Sequence, residues 1–141
     1  RLKLKWPNDI LIGNRKLSGI LVEGKTSQDS TKVVLGIGIN LQASDKMVDG
    51  REISTLQEIA NIDFYHLDRR LNSELASLIE ERHDIPPVNF ELIRGKILSH
   101  MKSLGKPVFR GITHDKFNLN NKGELELDGT TIDDGEDIYW I

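Results

Sequence analysis

The spacing of apolar residues changes twice along the chain, and that limits the folds open to it. In RLKLKW, Leu2, Leu4 and Trp6 alternate with Arg1, Lys3 and Lys5, the period of two of a strand with one apolar and one polar face. Between about residues 64 and 102 the period becomes helical, and from Lys106 onward the pattern breaks into short β-type pieces. Strands, then helices, then a small β unit predict an α+β fold with a C-terminal β appendage.

Pro7 has no N–H to donate and turns Trp6 away from helix, so the first strand stops or changes course there. Ile10 to Ile12, the turn signal Gly13-Asn14 and LSGILVEG then read as a hairpin completed by Glu23. The polar stretch from Gly24 to Lys32 reads as a loop. KVVLGIGINL is apolar without interruption except at Gly36, Gly38 and Asn40, the pattern of a central strand covered on both faces. Two glycines at i and i+2 share one face and open a strip where a backbone or a flat ligand can approach.

Residues 42 to 53 read as a mobile connection, after which Ser54 or Thr55 can cap a short helix through Ile59 and Ala60. A longer helix is predicted from Phe64 to Arg82, with Leu67, Leu71, Leu75, Leu78 and Ile79 as its apolar stripe and Pro86-Pro87 as its stop. A third runs from Asn89 to Lys102 on Phe90, Ile93, Ile97 and Met101, with Gly105 as a left-handed C-cap. The remaining 36 or so residues carry Gly111, Gly123 and Gly129 at or near turns. So small a β unit is expected to pack on the rest.

With 19 Lys plus Arg against 22 Asp plus Glu, the net charge of -3 gives no bulk field for nucleic acid. The absence of cysteine excludes disulfides, thiolate chemistry and cysteine-based zinc sites, and His66, His83, His100 and His114 show no metal-binding spacing. No metal ligand is therefore expected. No apolar run reaches the eighteen residues of a membrane span and no secretory leader is present, so a cytoplasmic location is the default. A strand beginning at Arg1, without an initiator methionine, predicts sheet partners upstream.

Four features compete as a site: Lys5 before the rigid Trp-Pro pair, Asn8-Asp9, the glycines of GIGIN with Asn40 closing that strand, and Glu23 completing the hairpin strand. Each has an ordinary reading. A lysine at a strand end is usually solvated, Asn-Asp after proline is usually a turn, and GxG lacks the third glycine and helix of a dinucleotide fingerprint. No GxxxxGK[ST] loop occurs. The acidic residues between Asp128 and Asp137 lack the spacing of a calcium loop and read as a solvated turn.

KWPNDI, then KLSGILVE, then VVLGIGINL, in that order and spacing, resemble the second half of the catalytic domain of biotin protein ligases. The likeness covers essentially the whole chain, strongly over residues 3 to 41 and weakly beyond, where the small β unit resembles the C-terminal domain of the same family. It implies a class II synthetase-like, biotin/lipoate ligase fold with a partial mixed sheet over residues 1–104, and a small SH3-like β-barrel domain over 105–141. It implies ATP-dependent ligation of biotin, through biotinyl-5′-AMP and with Mg2+, to a lysine of a carboxylase acceptor domain. Lys5 matches the family's active-site lysine, Ile10 an apolar pocket residue, Gly36 and Gly38 the glycines under biotin's rings, and Asn40 the asparagine near the phosphates. Trp6 and Pro7 are expected to brace Lys5. The family's Gly-Arg-rich loop and winged helix have no counterpart in these residues, so the chain alone is expected to hold half a site and not to bind DNA. The partners expected are the acceptor domain and a second copy in a homodimer. The rival expectations are a non-catalytic interaction module and a lipoate-type ligase.

Overall fold

The structure, a computed structural model, describes residues 2–28, 30–42, 47–48, 51–80, 90–132, 135 and 137–141. Strands β1 (Leu2–Lys5), β2 (Asp9–Ile12), β3 (Arg15–Thr26) and β4 (Thr31–Ile39) form an antiparallel sheet in sequence order. Gly13, at φ 60, makes the expected β2–β3 turn. Among the described residues the mixed character predicted for the sheet is reduced to one parallel bridge, between Lys16 and Ile53.

Two expectations about this sheet are corrected. Residues 24 to 32 are mostly strand, because the β3–β4 ladder continues through Gly24↔Val33, Lys25↔Lys32 and Thr26↔Thr31. The paired residues there are Gly24, Lys25, Thr26, Thr31 and Lys32, with Val33 the one apolar member, so the backbone ladder leaves no alternation of apolar residues to read. β4 is also an edge strand among the described residues, not a covered central one. Its Val33 and Val34 are 63% and 61% exposed, and Leu21 and Val22 of β3 are exposed beside them.

The connection after β4 holds the two-residue strands β5 (Met47–Val48) and β6 (Arg51–Glu52). Its end is anchored, not mobile: Ile53 is buried, and the Ser54 N–H donates to the Lys16 carbonyl at 2.8 Å. The predicted short helix is a 3-10 turn, Leu56–Glu58, and Thr55 makes no side-chain cap bond. Helix α1 (Phe64–Glu80) is capped instead by Asp63, which accepts from the Tyr65 N–H at 2.9 Å. The hydrogen bond from His66 is the main reason the Asp63 carboxyl lies below its ordinary range. Leu67, Leu71 and Leu75 are only half-buried. The expected end at Arg82 and the Pro86-Pro87 stop fall outside the described residues.

Helix α2 (Phe90–Met101) passes into a 3-10 turn, Lys102–Leu104. Gly105 follows, but not as a left-handed cap. Its φ is 104 and ψ -144, and a Cβ there would collide with the Ile141 carbonyl oxygen, so the close approach of Ile141 demands glycine. Strands β7 (Pro107–Phe109), β8 (Ile112–Thr113), β9 (Phe117–Leu119), β10 (Leu125–Leu127), β11 (Thr130–Ile132) and β12 (Ile138–Trp140) then make two three-stranded sheets, β11-β10-β9 and β12-β7-β8. Among the described residues the two sheets do not close into the barrel the resemblance implied.

The main core crosses the boundary expected at 104/105. Leu119, Leu125, Leu127, Ile132 and Ile138 bury against Met101, and Leu4, Trp6, Phe90, Ile97 and Leu98 pack onto that cluster. The small β unit therefore completes its core with α2 and β1, as its size requires. Leu125→Ala should cost about 2–5 kcal/mol in urea unfolding, whereas Leu92→Ala, on the exposed side of α2, should stay within about 0.5 kcal/mol. Equal losses would show that the core lies elsewhere.

Candidate functional site

The register of the antiparallel sheet aligns one row of residues across all four strands. Lys5 opposes Asp9, Asp9 opposes Gly19, and Gly19 opposes Gly38. Opposed residues point to the same face, so this row shares a face with Gly36, two residues from Gly38 and opposite Leu21. Three glycines leave bare backbone there, the floor of an open trough of about 470 Å³ bordered by Asn8, Lys16, Ile20, Leu21 and Ile37.

The chain's own packing does not require glycine at 36 or 38. A Cβ at Gly36 would come no nearer than 3.7 Å to the Leu21 Cβ, and one at Gly38 no nearer than 3.9 Å to the Gly19 carbonyl oxygen. Both are ordinary contacts, and neither backbone is left-handed. Glycine in a strand costs stability, so its presence twice on one exposed face fits a surface kept flat for something that approaches it.

Charge gathers at one end of the trough. The Lys16 ammonium lies 2.5 Å from Asp9 Oδ1, an ion pair without the alignment of a regular hydrogen bond, and 3.2 Å from where a Gly19 Cβ would stand. The Asp9 side chain is only 13% exposed. Asp9 is therefore not a turn residue as its sequence context suggested, but a strand residue opposite one lysine and paired with another. Asn8 shapes the turn through its carbonyl, which accepts from the Ile20 N–H at 2.9 Å.

Of the sequence-predicted residues, Lys5, Gly36 and Gly38 share the face. Ile10 does not. Its partners are Leu4 and Ser18, and strand alternation puts it on the opposite face, so it is no wall of this trough. Asn40 lies just past β4, and its side-chain amide donates to the Lys16 carbonyl at 3.0 Å. Glu23 opposes Val34, away from Lys5 and Lys16. Trp6 and Pro7 are seated on the C-terminal β unit: the indole N–H donates to the Gly123 carbonyl at 3.0 Å, and a Cβ on Gly135 would meet Pro7 Cδ at 2.7 Å. Sequence reasoning missed Gly19 and Lys16. The signal was present in KLSG, but only the register joins it to GIGIN.

His66 and His114 pair with Asp63 and Asp128 at 2.7 Å and 3.0 Å. Among the described residues no group of three carboxylate, histidine or cysteine side chains could hold a metal, and no helix is long and apolar enough to cross a membrane.

Residues 1–40 match the Biotin/lipoate A/B protein ligase family. The bifunctional ligase/repressor BirA of Escherichia coli is 40% identical over 85 residues, 57% of this chain and 26% of that protein. The biotin--[acetyl-CoA-carboxylase] ligase of Mycobacterium tuberculosis is 40% identical over 85 residues, 59% of this chain and 30% of its own. Apo biotin protein ligase from Aquifex aeolicus superimposes with a TM-score of 0.73 at 26% identity, over 99% of this chain and 65% of that one. The Aquifex ligase in complex with biotin and ATP gives 0.66 at 27%, covering 98% and 61%. The family match is carried by residues 1–40, and the fold of the Aquifex ligase extends over nearly all of this chain. The chain spans under a third of the two curated relatives' length and under two thirds of the Aquifex chain.

Gly36→Ala and Gly38→Ala should leave urea stability unchanged or slightly raised, by up to about 1 kcal/mol. A loss larger than that would mean that the glycines serve the fold and not a ligand.

Proposed function

We propose that the protein carrying this chain ligates biotin to a lysine of a carboxylase acceptor domain, and that the glycine trough is the floor of its biotin site. The observation that carries this is the pair Gly36 and Gly38, exposed on the face of Lys5 with no packing reason to be glycine. A flat bicyclic ring fits bare strand backbone, and an acidic tail would run along the row toward Lys5 and meet positive charge.

In the first step a carboxylate oxygen of biotin attacks the α-phosphorus of ATP, the α–β anhydride bond breaks, and pyrophosphate leaves. In the second, the acceptor's lysine amine attacks the acyl carbon, AMP leaves, and the amine's proton passes to solvent. Lys5 is the fixed cation of both steps. It offsets repulsion between carboxylate and phosphoryl oxygens and stabilises charge as the mixed anhydride forms and breaks. Asn40 would stand near the phosphates, its amide N–H already committed to the backbone of β3. Mg2+ would arrive on the nucleotide, since it favours phosphate oxygens and water over all-protein cages. Residues 1–104 are read as the catalytic part and 105–141 as the appended unit that supports Trp6 and Pro7. Ile10 is left out of the ligand-facing set.

The family model spans lipoate as well as biotin ligases, so lipoate is the competitor to test alongside. In the full-length protein, Lys5→Ala should lower pyrophosphate release with biotin and ATP by about 100-fold or more, the scale of losing one transition-state charge contact. Release at near wild-type rates would sink the role given to Lys5. Gly38→Val should weaken biotin binding at least about 100-fold by filling the trough while the fold survives. Unchanged affinity by calorimetry would remove the trough from the site.

A further inference from the structure

Lys5 is not the cation nearest the glycines. Gly38 and Lys5 stand on the outer strands of the four, three strand spacings or about 14 Å apart, and a lysine's four-carbon stem covers less than half of that. Lys16 borders the trough itself, its ammonium over Gly19, the glycine directly opposite Gly38. An acid lying along the row would pass Lys16 before it reached Lys5.

Lys16 is also held more firmly than a surface lysine. Its carbonyl accepts from Asn40 Nδ2 at 3.0 Å and from the Ser54 N–H at 2.8 Å, which fixes the backbone beneath it. Its ammonium is tethered by the largely buried Asp9 while its side chain keeps 39% exposure. An ammonium has three N–H donors, and an ion pair that lacks the alignment of a regular hydrogen bond leaves them for a ligand. Tethering also removes, before any ligand arrives, much of the rotamer entropy that ordering a free lysine would cost.

We propose that Lys16 is a second cationic contact for the acid group of the substrate, and that Asp9, set between Lys5 and Lys16, is the residue that positions it. This rests on the biotin reading above. It splits the work between two lysines: Lys16 holds the carboxylate as the acid binds, and Lys5 meets it at the far end of the row, where the phosphoryl group joins.

The test compares biotin with its neutral methyl ester, by calorimetry, on the full-length wild-type protein, Lys16→Met and Asp9→Asn. Wild type should prefer the acid. Lys16→Met should lose about tenfold in biotin affinity, the scale of one charged hydrogen bond, with ester affinity within about twofold of wild type. Asp9→Asn, nearly isosteric, should lose part of the same acid preference. A merely structural lysine would weaken acid and ester alike, so the ratio stays informative even if a variant is less stable. Equal losses for both ligands, or an unchanged ratio, would overturn the assignment. Wild type binding neither ligand would overturn the biotin reading itself, and this inference with it.

Discussion

The pairing register of β1 to β4 is the constraint on which the rest depends. It puts Lys5, Asp9, Gly19 and Gly38 in one line across four strands. A slip of a single residue between β3 and β4 would move the glycines of one strand to the other face. The trough would then be roofed by Ile20 or Ile37 side chains. Two details at the β2 end hold this alignment. The ladder shifts between Ile10 and Leu11, so that Leu11 meets Lys16. The Asp9–Lys16 ion pair then ties the two strands together across that irregularity.

A second constraint reaches the site from far along the chain. The residues after Lys5 are gripped by the C-terminal β unit, through the indole hydrogen bond to Gly123 and the contact of Pro7 with Gly135. Leu4 and Trp6 belong to the same buried cluster as Leu125 and Ile138. The small unit is therefore part of what locates Lys5. The boundary near residue 104 marks a change of topology and not a gap in packing.

Local features of the sequence carried much of this. The alternation of Leu2, Leu4 and Trp6 and the Gly13-Asn14 turn were enough for the first hairpin, because each depends only on neighbours. The same period of two placed Gly36 and Gly38 on one face. The glycine-marked turns of the C-terminal unit were equally legible, with Gly111, Gly123 and Gly129 all at positive φ. What could not be read were consequences of long-range pairing. Gly19 joins the trough only through the β3–β4 register, and Asp9 looked like a turn residue until Lys16 stood beside it. Ile10 was assigned to the pocket by resemblance, but its register puts it on the reverse face. The uninterrupted apolar run of β4 suggested cover on both faces that the described residues do not supply.

The central claim is that bare backbone at Gly19, Gly36 and Gly38 receives biotin. Amide chemical shifts of the full-length protein, followed during titration with biotin alone, test it most directly. The account predicts saturable shifts at those three glycines and at Ile20 and Ile37 between them, while Gly111 and Gly129 in the C-terminal turns stay still. Saturable binding with those trough amides unmoved would contradict it.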